Sequence, residues 1–393
     1  MLASCQAALQ TVMTTVIAVS GLAGLAVASA PSLATLPITC FVLGSAITSI
    51  PASLLMGIVG RRAGFQLGAI AGAGGAMLCA YAIYAASFTL LCGGMIVLGI
   101  HAAFGSYYRF AAADTAGPDS RARAISFTLG GGLVGGFLGP ELASQTTGLF
   151  ETHPYLGTYV SLALVCLSAV VVLTGLDLPG AVAEERRQSS RPVAAIMRQP
   201  VFIVAVLAAM LSYGVMNLMM TATPLAMHAH EHHFSDTAFV IQWHMVAMFA
   251  PSFFTGALIQ RFGVLNVIMT GAALVLACIA AALAGTALSD FWISLVLLGA
   301  GWNFMFLGGS TLLGESHTAA ERAKTEAVAS FMVFLTMAIS SASSGLLLNQ
   351  SGWTAVGYSS LPFVLAVIAA TAWLMYLRRA AHQGGPMADI NRA

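Results

Sequence analysis

The positive charges of this chain are restricted to alternate connections between its apolar segments. Fifteen of the 393 residues are Lys or Arg, the apolar fraction is 59% and the charged fraction is 7%. A water-soluble surface cannot be built from so few charges. Stretches of about 20 apolar residues, the length that crosses a bilayer, recur from end to end. The predicted spans are residues 7–28, 34–59, 66–87, 90–113, 122–147, 155–177, 201–225, 237–260, 265–286, 290–313, 325–348 and 353–377. The sequence therefore predicts an all-α integral membrane protein with twelve transmembrane helices.

The basic residues predict how these helices are oriented. They occupy the even-numbered connections, the end of the fourth span and the C-terminal tail, and none lies in an odd-numbered connection. They are Arg61, Arg62, Arg109, Arg121, Arg123, Arg186, Arg187, Arg191, Arg198, Arg261, Arg322, Lys324, Arg378, Arg379 and Arg392. Because basic residues resist translocation during insertion, we expect both termini on the cytoplasmic side of a bacterial inner membrane.

Composition and motifs argue against several other classes of protein. A net charge of +1 provides no basic surface for nucleic acid. The chain has no GxxxxGK[ST] phosphate-binding loop, so it carries no ATPase of that kind. No nucleophile–base constellation or catalytic metal motif lies near a span. We therefore expect neither an enzyme nor a cofactor, but a monomer whose partners are the bilayer, a small solute and protons.

An internal repeat divides the chain into two halves. A polar linker, residues 178–200, separates six predicted spans in residues 1–177 from six in residues 201–380, and residues 381–393 form a tail. Gly and Arg positions after span 2 recur 199 residues later after span 8, and the basic pair after span 4 recurs 201 residues later. Parallel halves of this kind hold a substrate site near the membrane midplane.

The repeated loop resembles the Gly-x-x-x-Asp-Arg-x-Gly signature of the major facilitator superfamily. The matching residues are Gly57, Arg62 and Gly64 in the first half and Gly256, Arg261 and Gly263 in the second. Arg61 and Gln260 replace the Asp, so a salt-bridge latch is not expected, although an Arg near a helix C-terminus is still favourable. A second motif that resembles the family lies in span 5, at Gly135, Gly139 and Pro140. The resemblance implies two six-helix pseudo-repeats, with these nine residues taking part in gating.

Polar residues of spans 1, 4, 7 and 10 are the candidates for substrate binding, because these spans line the central cavity in the superfamily. Tyr213 and Asn217 lie one turn apart on one helix face. Amide, hydroxyl and aromatic groups together suit a planar, polar solute. The candidates are Gln10, Thr14, His101, Tyr107, Tyr213, Asn217, Trp302 and Asn303. Hydrogen bonding between helices is the alternative role for each of them.

Ionisable residues inside the spans are candidates for coupling, because a charge at a helix centre costs about 2.5–3.5 kcal/mol. Glu141 in span 5 and His244 in span 8 are the two predicted proton-coupling residues. A carboxylate that faces outer water is the alternative for Glu141. Arg109 lies close enough to a span end to reach the surface by snorkelling.

Four histidines crowd the connection after span 7. They are His228, His230, His232 and His233, with Asp236 close by. Imidazoles at this spacing bind Zn, Ni or Cu, but a flexible loop is not a preorganised site. Metal capture, pH sensing and a solvated loop all remain open here, and no metal site is predicted.

The sequence as a whole predicts a secondary transporter of a small organic solute that works by alternating access. Residues 108–116 and 241–244 resemble a subgroup similar to bacterial riboflavin transporters. The resemblance implies uptake of riboflavin or a similar planar heterocycle. Export of small organic compounds by proton antiport, or a divalent metal permease that uses the histidine segment, is the alternative.

Overall fold

The helices of the computed structural model follow the apolar segments of the sequence. The structure describes residues 1–108, 111–112, 121–176, 191–318 and 321–382. A short 3₁₀ turn, Pro31–Leu33, follows the first of the thirteen helices in these ranges. The helices are α1 Leu2–Val27, α2 Leu36–Val59, α3 Arg61–Tyr84, α4 Phe88–Gly105, α5 Arg121–Thr146, α6 Leu156–Thr174, α7 Val193–Met197, α8 Pro200–Ala229, α9 Phe234–Phe249, α10 Ser252–Phe262, α11 Val264–Ala284, α12 Leu288–Leu313 and α13 Arg322–His382. Arg109, Arg186, Arg187 and Arg392, as well as most of the predicted linker and tail, lie outside the described residues.

All twelve predicted spans contain helix in the structure. Nine of the described helices are long and apolar enough to cross a membrane, or ten if α9 and α10, which meet at 41°, count as one broken span. Helix α13 covers two predicted spans, and Gly352 at φ +76° is the break between them. Helix α5 occupies the predicted fifth span. The prediction of an all-α, twelve-helix membrane fold is confirmed.

Glycines bring α5 into backbone contact with α1. A Cβ atom at Gly131 would lie 2.0 Å from the Ala3 carbonyl oxygen, and one at Gly135 would lie 2.1 Å from the Ala7 oxygen. Small residues four apart allow this approach in a membrane bundle. The pairs also set the relative heights of the two helices: residue 131 of α5 is level with residue 3 of α1, and residue 135 is level with residue 7.

The span-5 motif belongs to the same contact. A Cβ atom at Gly139 would lie 1.9 Å from the Thr14 hydroxyl oxygen, and Thr15 Oγ1 donates to the Gly139 carbonyl over 2.8 Å. Pro140 follows inside α5 and has no N–H to donate. The structure thus gives Gly135 and Gly139 a packing role inside the first half, and the gating role of all three motif residues stays a prediction.

The two glycine-arginine loops differ in where the chain turns. Gly60 at φ +84° ends α2, and Gly263 at φ +85° ends α10. The motif aligns Gly263 with Gly64, but Gly64 lies inside α3, where a Cβ atom would meet Met56 Cγ at 2.3 Å. The turn therefore comes one helical turn earlier in the first half. Arg61, at the motif's Asp position, begins α3.

The other motif residues of these loops face the surface. A Cβ atom at Gly57 or Gly256 would meet no other part of the fold within 4 Å. Arg62 donates to the carbonyl oxygen of Thr174, the last residue of α6. Arg261 places its guanidinium 5.2 Å from the ring centre of Phe262. The Arg62 contact is with a helix C-terminus, where a cation is favourable. We call this end of the bundle, which carries Arg62 and Arg261, the basic end.

Contacts between the halves lie towards the other end, which we call the opposite end. Thr39 Oγ1 donates to Ser341 Oγ over 3.1 Å. One turn further along α13, a Cβ atom at Gly345 would lie 2.5 Å from Thr35 Oγ1. Nearer the middle, Gln242 of α9 donates to the Phe137 carbonyl of α5 over 3.2 Å. The two halves of the bundle are therefore in contact at the opposite end.

An ion pair holds the end of the linker against the second half. Arg191 Nε and Nη2 each donate over 2.8 Å to a carboxylate oxygen of Glu321, whose side chain is only 3% exposed. Lys324 donates to the Arg191 carbonyl. The Arg191 guanidinium and the Thr318 backbone N–H hold the pKa of Glu321 well below its ordinary value of 4.5. The carboxylate is therefore ionised at neutral pH and bound on two sides.

We expect this ion pair to make stability depend on pH. A carboxyl group whose pKa is lower in the folded state stabilises the fold above its unfolded pKa and loses that contribution as pH falls. The difference in thermal unfolding midpoint between wild type and Arg191→Gln should thus be constant from pH 6 to 8 and shrink below about pH 4.5. Arg378→Gln, which breaks the exposed pair with Glu315, is the control and should change the midpoint little. A difference that is unchanged down to pH 3 would contradict the assignment.

Candidate functional site

Three aromatic rings of α8 and α12 form the centre of the candidate site. The Tyr213 ring lies edge-on to Trp302 and Phe306, with ring centres 5.0 and 4.9 Å away. Trp302 and Phe306 are stacked 5.0 Å apart with an angle of 13° between their planes. Phe306 is one turn after Trp302, so both rings project from one face of α12. The structure therefore brings the predicted residues Tyr213 and Trp302 together.

Polar groups without partners accompany these rings. The indole Nε1–H of Trp302 is buried and has no hydrogen-bond partner. The Thr221 hydroxyl, two turns after Tyr213 on α8, is also buried without one. Asn217 between them donates to the Met337 carbonyl over 2.8 Å and so ties α8 to α13. A buried donor without a partner costs about 1–3 kcal/mol, and a bound solute that accepts from Trp302 would offset this cost.

Gln10 and Thr14 of α1 make contacts in different halves of the molecule. Gln10 points at the second half, with Nε2 3.8 Å from Met245 Sδ. The Thr14 hydroxyl instead donates within the first half, to the Gln10 carbonyl at 2.8 Å and towards the Gly135 carbonyl at 3.3 Å. Gln10 therefore stands at the boundary between the halves, whereas Thr14 uses its hydroxyl in packing α1 against α5.

Asn303 is a neighbour of Trp302 in sequence but serves a different contact. Its Nδ2 donates to the Met248 carbonyl at 2.8 Å and to Ser252 Oγ at 2.6 Å, and its Oδ1 accepts from Thr255 Oγ1 at 2.8 Å. These partners flank Pro251, where α9 breaks into α10. Asn303 thus satisfies backbone and hydroxyl groups left at the break. The structure assigns this side chain to the helix break and not to the aromatic site.

Removing the Asn303 amide should therefore lower stability more than substrate affinity. In Asn303→Ala the Met248 carbonyl loses the amide that donates to it, at a cost of about 1–3 kcal/mol, and the Thr255 hydroxyl keeps only its bond to the Pro251 carbonyl. We expect a lower thermal unfolding midpoint and an unchanged KM in the molecules that remain folded. Asn266→Ala is the control, because Asn266 is exposed and donates to the Phe262 carbonyl of the preceding turn. A raised KM at unchanged stability would instead place Asn303 at the substrate.

Neither intramembrane histidine lies between the halves: His101 is inside the first half and His244 is inside the second. His101 packs between α3 and α6, because a Cβ atom at Gly72 would lie 2.7 Å from His101 Cβ and 3.0 Å from Cys166 Sγ. Its ring nitrogens make no hydrogen bond of ordinary geometry, and the Gly68 backbone is the polar group beside them. His244 Nδ1 lies 2.7 Å from the Leu295 carbonyl oxygen and joins α9 to α12. The structure does not bring either histidine to the aromatic rings.

Tyr107 and Glu141 also lie away from the rings. The Tyr107 hydroxyl donates to the Ser49 carbonyl of α2 over 2.9 Å. Glu141 is exposed, accepts from Gln145 Nε2 over 2.9 Å and lines a groove between α1, α5 and α6. Gly136, which packs against Met245 of α9, lies about 140° around α5 from Glu141, and His244 bonds to Leu295 of α12. The structure therefore separates Glu141 from His244, the other predicted coupling residue.

The histidine segment is a hydrogen-bonded turn and not a flexible loop. His228 belongs to α8, and the His232 backbone N–H donates to the Met227 carbonyl over 3.1 Å. His232 Nε2 lies 2.8 Å from the Thr286 carbonyl oxygen, and His233 caps α9 with Asp236. No group of three His, Cys, Asp or Glu side chains converges among the described residues. Nothing in this turn favours the metal alternative.

Sequence reasoning missed Phe306, Gln242 and Met245. Phe306 carries a signal, since it follows Trp302 by four residues. Gln242 and Met245 carry a weaker one, because only the packing of α9 against α5 shows that they face the other half. A Cβ atom at Gly136 would lie 2.9 Å from Met245 Cβ. These residues therefore mark a boundary between the halves that no motif indicates.

The arrangement suits binding rather than chemistry. Aromatic rings with an unpaired indole N–H at their edge are typical of sites that bind small polar solutes. Two six-helix halves around such a site define the class of membrane transporters that work by alternating access. The model of the Major Facilitator Superfamily matches residues 1–250 and 205–389, and the chain belongs to this family.

Two curated relatives cover most of the chain. The riboflavin transporter RfnT of Brucella anthropi is 40% identical over 355 residues, which are 90% of this chain and 89% of that protein. The uncharacterized MFS-type transporter YddS of Bacillus subtilis is 30% identical over 366 residues, 88% of this chain and 83% of that protein.

Solved structures share the fold at low sequence identity. The inward-open xylose transporter XylE of E. coli has a TM-score of 0.74 at 16% identity and covers 93% of both chains. A bacterial homologue of the human lysosomal transporter Spinster, inward-facing and unoccupied, has a TM-score of 0.70 at 16% identity and covers 94% of this chain and 93% of its own. These structures show the fold, while the family model and the curated relatives show that the chain is a transporter of the major facilitator type, a family whose members are not enzymes.

Proposed function

We propose that this transporter takes up riboflavin or a similar planar heterocycle across the bacterial inner membrane. The observation that carries the proposal is the cluster of Tyr213, Trp302 and Phe306 with the unpaired Trp302 indole N–H. An isoalloxazine ring is planar, has carbonyl acceptors on its edge and stacks on aromatic rings. The 40% identity to a riboflavin transporter supports the same solute.

The orientation that we propose places the basic end in the cytoplasm. Arg62 and Arg261 at this end agree with the retention of basic residues on the cytoplasmic side. Halves that meet at Thr39–Ser341 would then be closed towards the periplasm. Rocking the halves about the aromatic site would open that closure and admit the solute.

Three roles remain proposals within this function. Gln10 and Asn217 would contact the solute beside the rings, because one faces the other half and the other follows Tyr213 by one turn. The glycine and arginine residues of the repeated loops would act in gating at the basic end. Proton coupling would use Glu141 or His244, and a protonophore tests coupling without assuming which of them acts.

The direct test is uptake of labelled riboflavin. The chain is expressed in a riboflavin-auxotrophic bacterium that lacks its own importer, with an empty vector as control and the amount of protein in the membrane measured by immunoblot. We expect uptake above the control that unlabelled riboflavin competes away, and a protonophore that abolishes uptake would show coupling to protons. Membrane-inserted protein with no uptake would contradict riboflavin as the solute and would favour export of an organic compound.

A further inference from the structure

A groove on the membrane-facing side of the first half is separate from the aromatic site. It has a volume of about 480 Å³ and lies between α1, α5 and α6. Its walls are Ala7, Ala8, Leu138, Leu142 and Val165, with Ser4, Thr11, Glu141, Gln145 and Ser168 as the polar members. Leu138 is 51% exposed, and Leu164 and Leu167 of α6 are 63% and 46% exposed. Exposed leucines on both sides show that the groove opens towards lipid.

The groove runs along the axes of the helices that line it. Thr146 Oγ1 donates to Thr158 Oγ1 over 3.0 Å and joins α5 to α6 at the opposite end. Because Gly131 is level with Ala3, Ser4 is level with residue 132 of α5. The distance along α5 from residue 132 to Gln145 is roughly 20 Å at 1.5 Å per residue. The space therefore extends along the helices, with Glu141 and Gln145 at the end nearer Thr146.

One charged group distinguishes the lining. Glu141 is the only ionisable side chain among the lining residues, and its one hydrogen bond to the described part of the chain comes from the neutral amide of Gln145. The hydroxyls of Thr11 and Ser168 donate to carbonyls of their own helices, at 2.8 Å to Ala7 and 2.7 Å to Val165. Between Glu141 and the basic end, the groove therefore presents mainly methyl and methylene groups.

We propose that this groove binds a single-chain amphiphilic amine, with its ammonium group at Glu141 and its alkyl chain along Ala7, Ala8 and Val165. A carboxylate on a lipid-facing surface favours a cation beside it, and a low dielectric strengthens that pairing. The only cation that also fills an apolar groove of this shape is one that carries an alkyl chain. The site does not depend on which solute passes through the centre of the bundle.

Binding of tritiated dodecylamine tests the site without any measurement of transport. The full chain is placed in phosphatidylcholine nanodiscs, and empty nanodiscs provide the background of bilayer partitioning. We expect one saturable site per chain that unlabelled dodecylamine displaces at least about tenfold better than dodecanol, because only the amine pairs with the carboxylate. Glu141→Gln should weaken the binding of dodecylamine about tenfold and remove its advantage over dodecanol.

Two further variants separate the charge from the space. Ala8→Phe keeps Glu141 but fills the floor of the groove, and should also remove the saturable site. Glu151→Gln removes an exposed carboxylate outside the lining and should leave binding unchanged. A wild-type chain without a saturable site, or equal dodecylamine affinity in wild type and Glu141→Gln, would overturn the proposal. Riboflavin uptake by the same variants in the auxotrophic bacterium is an independent measurement, so the two proposals fail separately.

Discussion

Alanine at Trp302 is expected to reduce uptake of the solute more than tenfold while the protein still inserts. The substitution removes the ring stacked on Phe306 and the unpaired N–H beside it. Loss of base–aromatic stacking costs about 1–3 kcal/mol, and loss of a hydrogen bond to the solute adds about 0.5–1.5 kcal/mol. Initial rates of labelled uptake, normalised to protein in the membrane, measure the effect.

A phenylalanine at the same position separates the two contributions. Trp302→Phe keeps a stacking ring but has no N–H, so KM should rise less than in the alanine variant. Trp292→Phe is the matched control: it lies on the same helix, its indole nitrogen also has no partner, and its ring contacts Trp243 and not Tyr213. If Trp292→Phe were as defective as Trp302→Phe, the site would not be the Tyr213 cluster.

Leucine at Gly345 is expected to abolish transport by preventing closure at the opposite end. Even a Cβ atom there would lie 2.5 Å from Thr35 Oγ1 in the other half, so the halves cannot meet as they do in this structure. The variant should insert normally, because the clash arises between the halves and not within one. Uptake should fall to the level of the empty vector.

Disulfide cross-linking reports the closure directly. Thr39 Oγ1 and Ser341 Oγ are 3.1 Å apart, so cysteines at these two positions should cross-link readily under mild oxidant. Adding Gly345→Leu to that pair should suppress the cross-link. Gly74→Leu is the control, since a Cβ atom there has nothing within 4 Å. Full cross-linking in the presence of Gly345→Leu would show that the closure tolerates the side chain.

Trp302 and Asn303 show where sequence reasoning stops. Both were predicted to bind substrate because they lie in a span that lines the cavity in related transporters. Adjacent residues on a helix project about 100° apart, so they face different neighbours. Trp302 meets Tyr213, whereas Asn303 meets the broken helix at Pro251. Pro251 predicts the helix break from the sequence, but nothing in the sequence predicts that Asn303 bonds to it.

The intramembrane titratable residues make the same point. Glu141, His101 and His244 stand out in the sequence because ionisable groups are rare in spans. Rarity predicts that each needs a partner but not which one. His101 lies between helices of the first half, His244 reaches the Leu295 carbonyl, and Glu141 lines an exposed groove between α1, α5 and α6.

The sequence by itself determined the number of helices and the division into two halves, and it predicts how the helices alternate across the membrane. These properties depend on local quantities, the length of apolar runs and the placement of charge, which the bilayer acts on one segment at a time. The tertiary structure decided which polar side chains meet. In a membrane bundle every helix is apolar on all sides, so no hydrophobic periodicity marks the buried face. Close backbone contacts such as Gly309 with Ala205 and Gly301 with Gly271 fix the rotation of α12, and that rotation places Trp302 beside Tyr213 and Asn303 at the helix break.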